Sequence, residues 1–390
     1  MIEKTVVDIA TKLISTPSIS GSEKDIAYTI KETIEHMGVD KVFIDQYGNV
    51  IASLEGSIDK VIVFEGHMDH VPPGNINDWI IDPYSPRIID GKLYGRGSVD
   101  MKGAIAAMIT SINLIKGRDL STIFYIFVPY EEIAEGVAFK YAIEDTLAIR
   151  PDLVVLGEAT NLDISIGQRG RAVVYVEFYG ETAHASMPEK GVNALEAISL
   201  FIEKVKKMRA KIPSHPILGK STIVPTVLMC TPQSPPMMPD YCRLVIDRRF
   251  IIGENEDKII TEIEELAGDI VKEGFAKEAK VYIPTERAKL WTGKEVLIRH
   301  FFPAWLIEES SVIDSILRIL SSNDLQPKTR VWRFSTDGVY SAGMAGITTI
   351  GFGPGDESLA HKPNEHVPVK HLVKAAIGYS KIPLIYSNCK

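Results

Sequence analysis

Apolar residues along the first 170 positions switch between a helical spacing and short, nearly continuous runs. The opening MIEKTVVDIATKLIS segment, broken by Glu3, Lys4, Asp8, Thr11 and Lys12, predicts an amphipathic helix. Ser20-Gly21-Ser22-Glu23 has the look of a cap ahead of a second helix over 26–36. Short strands are expected over 41–44 and 50–54, joined through a turn at Tyr47-Gly48-Asn49. KVIVFE (60–65), STIFYIFVP (121–129) and DLVVL (152–156) are strand-length apolar runs, the pattern of a sheet covered on both faces. Between them lie a Pro-, Asn-, Asp- and Gly-rich loop over 71–91 and helices over 101–116 and 136–143. Strands alternating with helices predict an α/β layer fold with a largely parallel sheet.

The pattern changes near Arg171. RAVVYVEFY (171–179) alternates as a half-exposed strand does, followed by a helix over 193–209, a strand over 242–250, a helix over 256–273 and a strand over 279–283. The α/β character resumes with helices over 311–321 and 369–385 and a strand over 348–352. The economical division is a catalytic domain in two parts, 1–171 and 286–390, interrupted by a small α+β domain over 172–285.

At 390 residues with 45% apolar side chains, the chain can build sizeable cores, which argues against disorder. A net charge of −8, without a Lys/Arg tract, argues against a nucleic-acid surface. No apolar run approaches the ~18 residues of a membrane span, and the start has no signal-peptide pattern, so a cytoplasmic chain is expected. Cys230, Cys242 and Cys389 are too few and too scattered for a disulfide framework or a Cys-based zinc site.

Candidate chemistry gathers where apolar strands end, the place where ligand sites form in open α/β sheets. His67 follows KVIVFE, and Asp69, two residues on, is placed to accept the other imidazole N–H. His70 is expected to stay outside the ligand set, beside it or in solvent. Asp100, in GRGSVDMKG, is either a helix N-cap or a carboxylate at the sheet mouth able to bridge two cations. That Gly-rich run lacks both G-x-G-x-x-G spacing and a Walker ending. Glu131-Glu132 follow another strand, where two acids repel unless a cation or proton compensates them. Glu158 repeats the theme, and His361 follows the Gly351–Gly355 loop. Histidines and surplus carboxylates without cysteine suit a hydrolytic zinc, cobalt or manganese centre, with two metals sharing a carboxylate. No G-x-S-x-G elbow is present, and no cysteine lies in these motifs, which argues against a covalent nucleophile.

In order, His67-x-Asp69, Gly95-Arg96-Gly97…Asp100-Met101-Lys102-Gly103, Glu131-Glu132, Gly157-Glu158, Gly180…His184…Pro188…Gly191-x-Asn193-Ala194 and His361 resemble the M20 metallopeptidase family across nearly the whole chain. That family includes carboxypeptidase G2-like enzymes, acetylornithine deacetylases, succinyl-diaminopimelate desuccinylases and aminoacylases. The words GEATNLDISIGQRGR and GFGPGDE…AHKPNE are most similar to its YgeY-type branch. The resemblance implies a zinc-exopeptidase-like domain interrupted by a ferredoxin-like lid and dimerisation domain, hence a homodimer. It implies two zinc ions per subunit, replaceable by cobalt or manganese: His67, Asp100 and Glu158 on one, Asp100, Glu132 and His361 on the other. Glu131 would be the general base on the metal-activated water, Asp69 would orient His67, and His184 would donate to the oxyanion, reaching the neighbouring subunit. Arg169, Arg249 and the Gly353 and Gly355 backbone would receive a substrate carboxylate or carbonyl. A cis peptide between Asp100 and Met101 is implied as well.

The function so implied is hydrolysis of an amide in a small peptide or N-acyl amino acid. A carbamoyl or ureide bond is the alternative with the same metals. A non-catalytic, metabolite-binding relative is disfavoured because the ligand set and Glu131 are intact.

Overall fold

Four parallel strands, Ser121–Val128, Ile58–His67, Leu153–Leu156 and Thr349–Gly351, lie side by side in that order at the centre of a nine-stranded sheet. A computed structural model describes this fold for residues 1–116, 118, 120–322 and 325–387. The sheet turns antiparallel toward both edges, through Val50–Leu54 and Lys41–Ile44 on one side and Ile164–Gln168 on the other. Central strands buried on both faces need apolar residues at nearly every position, which explains their continuous runs. Phe64 and Tyr125 join the core under helices Ile2–Ile14, Lys102–Ile115 and Val369–Lys381. Their strand neighbours Val63 and Ile126 point the other way, against Phe139, Trp332 and Tyr340.

A second sheet follows Gly170. Its main strands are Thr222–Thr231, Tyr241–Phe250, Gly170–Tyr179 and Glu278–Tyr282, in that spatial order and all antiparallel. With helices Ala194–Met208 and Glu256–Lys272 this is the β-α-β-β-α-β arrangement of a ferredoxin-like fold. It has its own core, built from Val174, Val176, Phe178, Leu244 and Ile246 against Phe201, Ile259 and Ile263. The short strand Phe301–Phe302 returns to pair with Arg171 and Ala172.

Several features differ from the sequence expectation. The strand expected over 60–65 runs Ile58–His67, so His67 is its last residue rather than a residue beyond it. The 71–91 loop contains a strand, Arg87–Ile89, that belongs to a small three-stranded sheet. The helix expected over 136–143 is α-helical only over Val137–Tyr141 before widening to a π-helical turn, Ala142–Leu147. Strand Thr222–Thr231 has no clean periodicity, because it is a sheet edge with Pro225 inside it and four exposed apolar residues. Spacing gives no reason to pair Cys230 with Cys242, yet strand register sets them directly opposite and they form a disulfide. One bridge is thus present where the count of three suggested none; Cys389 lies outside the described residues. No helix among the described residues is long and apolar enough to cross a membrane.

Candidate metal centre and cleft

The carboxyl ends of the four central strands deliver the candidate ligands to one place. His67 ends its own strand, Glu131 and Glu132 follow Ser121–Val128, Glu158 follows Leu153–Leu156, and His361 follows Thr349–Gly351. Asp100 arrives from the turn before helix Lys102–Ile115, and the peptide joining it to Met101 is cis. One carboxylate oxygen of Asp100 lies 2.8 Å from His67 Nε2, and the other lies 3.1 Å from His361 Nε2. Glu158 stands 3.4 Å from His67 Nε2 and Glu132 2.9 Å from His361 Nε2. Asp100 thus sits between two imidazoles, each with a second acid of its own. His67, Asp100 and Glu132 are close enough to share an ion, and so are His67, Glu131 and Glu158. Distance alone therefore does not separate Glu131 from the ligands. Contacts do: Glu132 Oε2 pairs with His361, whereas among the described residues Glu131 makes no ion pair with either imidazole.

The electrostatics ask for cations. Burial and the charge of Asp100 push Glu132 up to about 7, and the same two causes raise Glu158. Burial first, then the charges of Asp337, Glu158 and Glu135, raise Glu131 well above the usual carboxylate range, with His67 opposing. Hydrogen bonds to Asp100 and Glu132 push His361 up to about 10. His67 is pulled up by Asp100, Asp69 and Glu158 despite its burial. Burial works against the Asp100 carboxylate as well, but the two imidazoles hold it well below its ordinary value. So many acids around two histidines are stable together only with positive charge among them, and divalent cations fit that need with donors of the right type. Buried Oε1 atoms of both Glu131 and Glu132 lack partners, which points the same way.

Residues outside the ligand set position it. Asp69 behaves differently from the simple orienting role. Its carboxylate is 3.6 Å from His67 Nδ1, which instead donates to the Asp69 carbonyl at 3.0 Å. The carboxylate accepts the Ser20 hydroxyl at 2.6 Å and the N–H groups of Glu131 and Glu132 at 3.1 and 3.2 Å. His70 is a buried structural group: its Nε2 accepts the Ser18 N–H, and burial pushes it down to about 4. The Gly-rich turn ahead of Asp100 wraps an internal carboxylate. Glu365 accepts Arg96 Nη1 and the N–H groups of Gly97, Val99 and Asp100 at 2.6 to 3.1 Å. Glu365→Ala strands Arg96, 1% exposed, without its counter-charge. Breaking a buried pair this way costs about 3–5 kcal/mol, which a urea titration of the variant should show as a lowered midpoint.

The cleft beside this cluster has a volume of about 420 Å³, and its lining also includes Arg171, Arg249, Glu135, Phe334 and Ser335. Alternation along Tyr241–Phe250 turns Arg248 inward onto Glu254 and Arg249 outward. Register sets Arg249 directly opposite Arg171, a repulsive pair made tolerable by Asp247 and Glu135. Arg171 and Glu135 escape sequence reasoning because strand register brings the first to the cleft and only its ion pair with Arg171 marks the second.

The other expected substrate residues are not gathered there. The Arg169 guanidinium donates to the carbonyls of Lys220 and Arg333 at 2.9 and 3.1 Å and does not line the cleft. Gly353 donates to Thr160 Oγ1 and its carbonyl accepts the Leu162 N–H, so its backbone is engaged. A Cβ there would sit 2.2 Å from the Gly157 carbonyl oxygen, so its glycine identity follows from close packing. The Gly355 carbonyl accepts the Asn161 N–H. His184 is exposed, its Nδ1 accepting the Ser186 N–H, and it lies outside the cleft lining of this single chain.

The pattern of the family described as Peptidase family M20/M25/M40 matches residues 63–383. The chain is 34% identical to the YgeY protein of Escherichia coli strain K12, over 95% of this chain and 92% of that one. It is 26% identical to an acetylornithine deacetylase of Buchnera aphidicola, over 84% and 83% of the two chains. The crystal structure of aminopeptidase PepT from Bacillus cereus superposes with a TM-score of 0.77 at 23% identity, over 99% of both chains, a likeness of fold.

Proposed function

The chain belongs to peptidase family M20/M25/M40 and is a metallohydrolase of amide bonds; on that premise we propose that it uses two zinc-class ions to cleave a small peptide or an N-acyl amino acid. His67, Asp100 and Glu158 would hold one ion and Asp100, Glu132 and His361 the other, with cobalt or manganese able to replace zinc. Divalent ions there would supply Lewis acidity to the scissile carbonyl and make water nucleophilic at neutral pH. The observation that carries this reading is Asp100, which turns one carboxylate oxygen to each imidazole.

Glu131 is the general base, and afterwards the acid that returns the proton to the leaving amine. Its support is geometric: a buried carboxyl beside the cluster that, unlike Glu132, makes no ion pair with either imidazole among the described residues. Asp69 fixes the backbone of Glu131 and Glu132 and, through its carbonyl, the ring of His67. Arg249 meets the substrate's carboxylate or carbonyl in the cleft; Arg169, Gly353 and Gly355 would act only after rearrangement of their present bonds. The family relative named an acetylornithine deacetylase supports an N-acyl amino acid as one candidate class. The test is hydrolysis of a mixed panel of dipeptides, N-acetyl amino acids and carbamoyl compounds, with and without chelator. Chelator-sensitive cleavage of a dipeptide or N-acetyl amino acid supports the proposal; cleavage of carbamoyl compounds alone moves the substrate to a ureide. No cleavage of any of them contradicts it.

Residues 172–285 are proposed as a lid through which two copies pair. The support is an edge strand, Thr222–Thr231, whose Val224, Val227, Leu228 and Met229 are 44–49% exposed. Such an edge calls for a partner. His184 on this unit would then serve the other subunit's centre. Glu131→Gln and His184→Ala, each nearly inactive alone, are expected to recover about half of wild-type activity per mixed dimer, since one site regains both groups. No recovery in confirmed mixed dimers would mean that His184 serves its own subunit or none.

A further inference from the structure

Glu23 occupies the N-cap position of helix Lys24–Glu35 but does not cap it. Its side chain is fully buried, and among the described residues no cation lies within ion-pair distance of it. One carboxylate oxygen instead accepts two backbone N–H groups, from Gly21 at 2.7 Å and from Tyr130 at 3.1 Å. Tyr130 stands in the left-handed region, with φ +68°, where a bulky side chain is strained. Such a conformation persists only where its surroundings over-determine it.

The next two residues complete the pattern. The N–H groups of Tyr130, Glu131 and Glu132 all point to buried carboxylates from other segments, the first to Glu23 and the other two to Asp69. Ser20, three residues before Glu23, donates its hydroxyl to Asp69, so one short segment reaches both the Tyr130 turn and the Asp69 carboxylate. Burying two carboxylates near each other is costly. A serine would cap the helix without that cost, so the need for Glu23 lies in what it holds. We propose that Glu23 is a positioning residue: with Asp69 it clamps the strained turn at Tyr130 and thereby fixes where Glu131 points. This rests on the reading of Glu131 as the base.

Two readouts test it on the full chain, turnover and amide hydrogen exchange of residues 130–132. Glu23→Ala removes the acceptor. Exchange over 130–132 should then accelerate, and kcat should fall roughly 10- to 100-fold with KM and bound metal little changed, the size of effect that misplacement of a reacting group produces. Glu23→Gln keeps the acceptor oxygen and should hold both readouts near wild type. Should Glu23→Ala fail to fold, Glu23→Asn, which withdraws the acceptor by one methylene, should give the same two changes. Unchanged exchange and kcat in the Ala or Asn variant, or a Gln variant as slow as the Ala variant, would overturn the clamp. If no form of the protein hydrolyses an amide, the hydrolase reading fails, and the exchange rates alone decide for or against the clamp.

Discussion

Glu131→Gln is expected to lower kcat by about 10² or more while metal content and KM stay near wild type, whereas Glu132→Gln should weaken metal binding first. The two residues are adjacent and both are buried or nearly so, and their N–H groups are bound by the same Asp69 carboxylate. They differ in what the side chains touch. Glu132 Oε2 lies 2.9 Å from His361 Nε2, whereas among the described residues Glu131 makes no ion pair with either imidazole. Glutamine is nearly isosteric and keeps an acceptor oxygen, so the fold should tolerate it at position 131, but it cannot carry the proton. Measuring kcat, KM and bound metal together separates these losses. Two mutants that lose metal and rate alike would show that the pair does not divide into ligand and base.

Asp100→Ala is expected to reduce turnover to background and to lower occupancy of both ions at once. No other residue of the cluster contacts both imidazoles, at 2.8 Å on one side and 3.1 Å on the other. His67→Ala or His361→Ala should instead impair one side more than the other. Metal analysis after dialysis distinguishes the cases, and full occupancy with unchanged turnover in Asp100→Ala would remove its bridging role.

What the sequence makes legible follows from locality. The central strands are readable because burial on both faces forces apolar runs, and the carboxyl ends of those runs mark where His67, Glu131 and Glu158 lie. The edge strand Thr222–Thr231 is hard to read because an exposed face and Pro225 remove the periodicity. Glu365 and Glu23 stand in segments already notable, one in AHKPNE and one in an apparent cap. Their roles depend on partners 265 and 107 positions away, Asp100 and Tyr130, which only the fold brings near. Arg171 and Glu135 reach the cleft for the same reason, through cross-sheet register and a turn. Arg169 shows the reverse: a charged residue beside a glycine-rich word that the fold assigns to two backbone carbonyls.

The measurement that bears most directly on the central claim is a zinc titration of metal-free protein, followed by calorimetry and by turnover of an amide substrate in the same samples. Two tightly bound ions per subunit, with hydrolysis rising as they fill and both lost in Asp100→Ala, is the predicted result. Full hydrolysis of that substrate by protein that binds no divalent ion would contradict it.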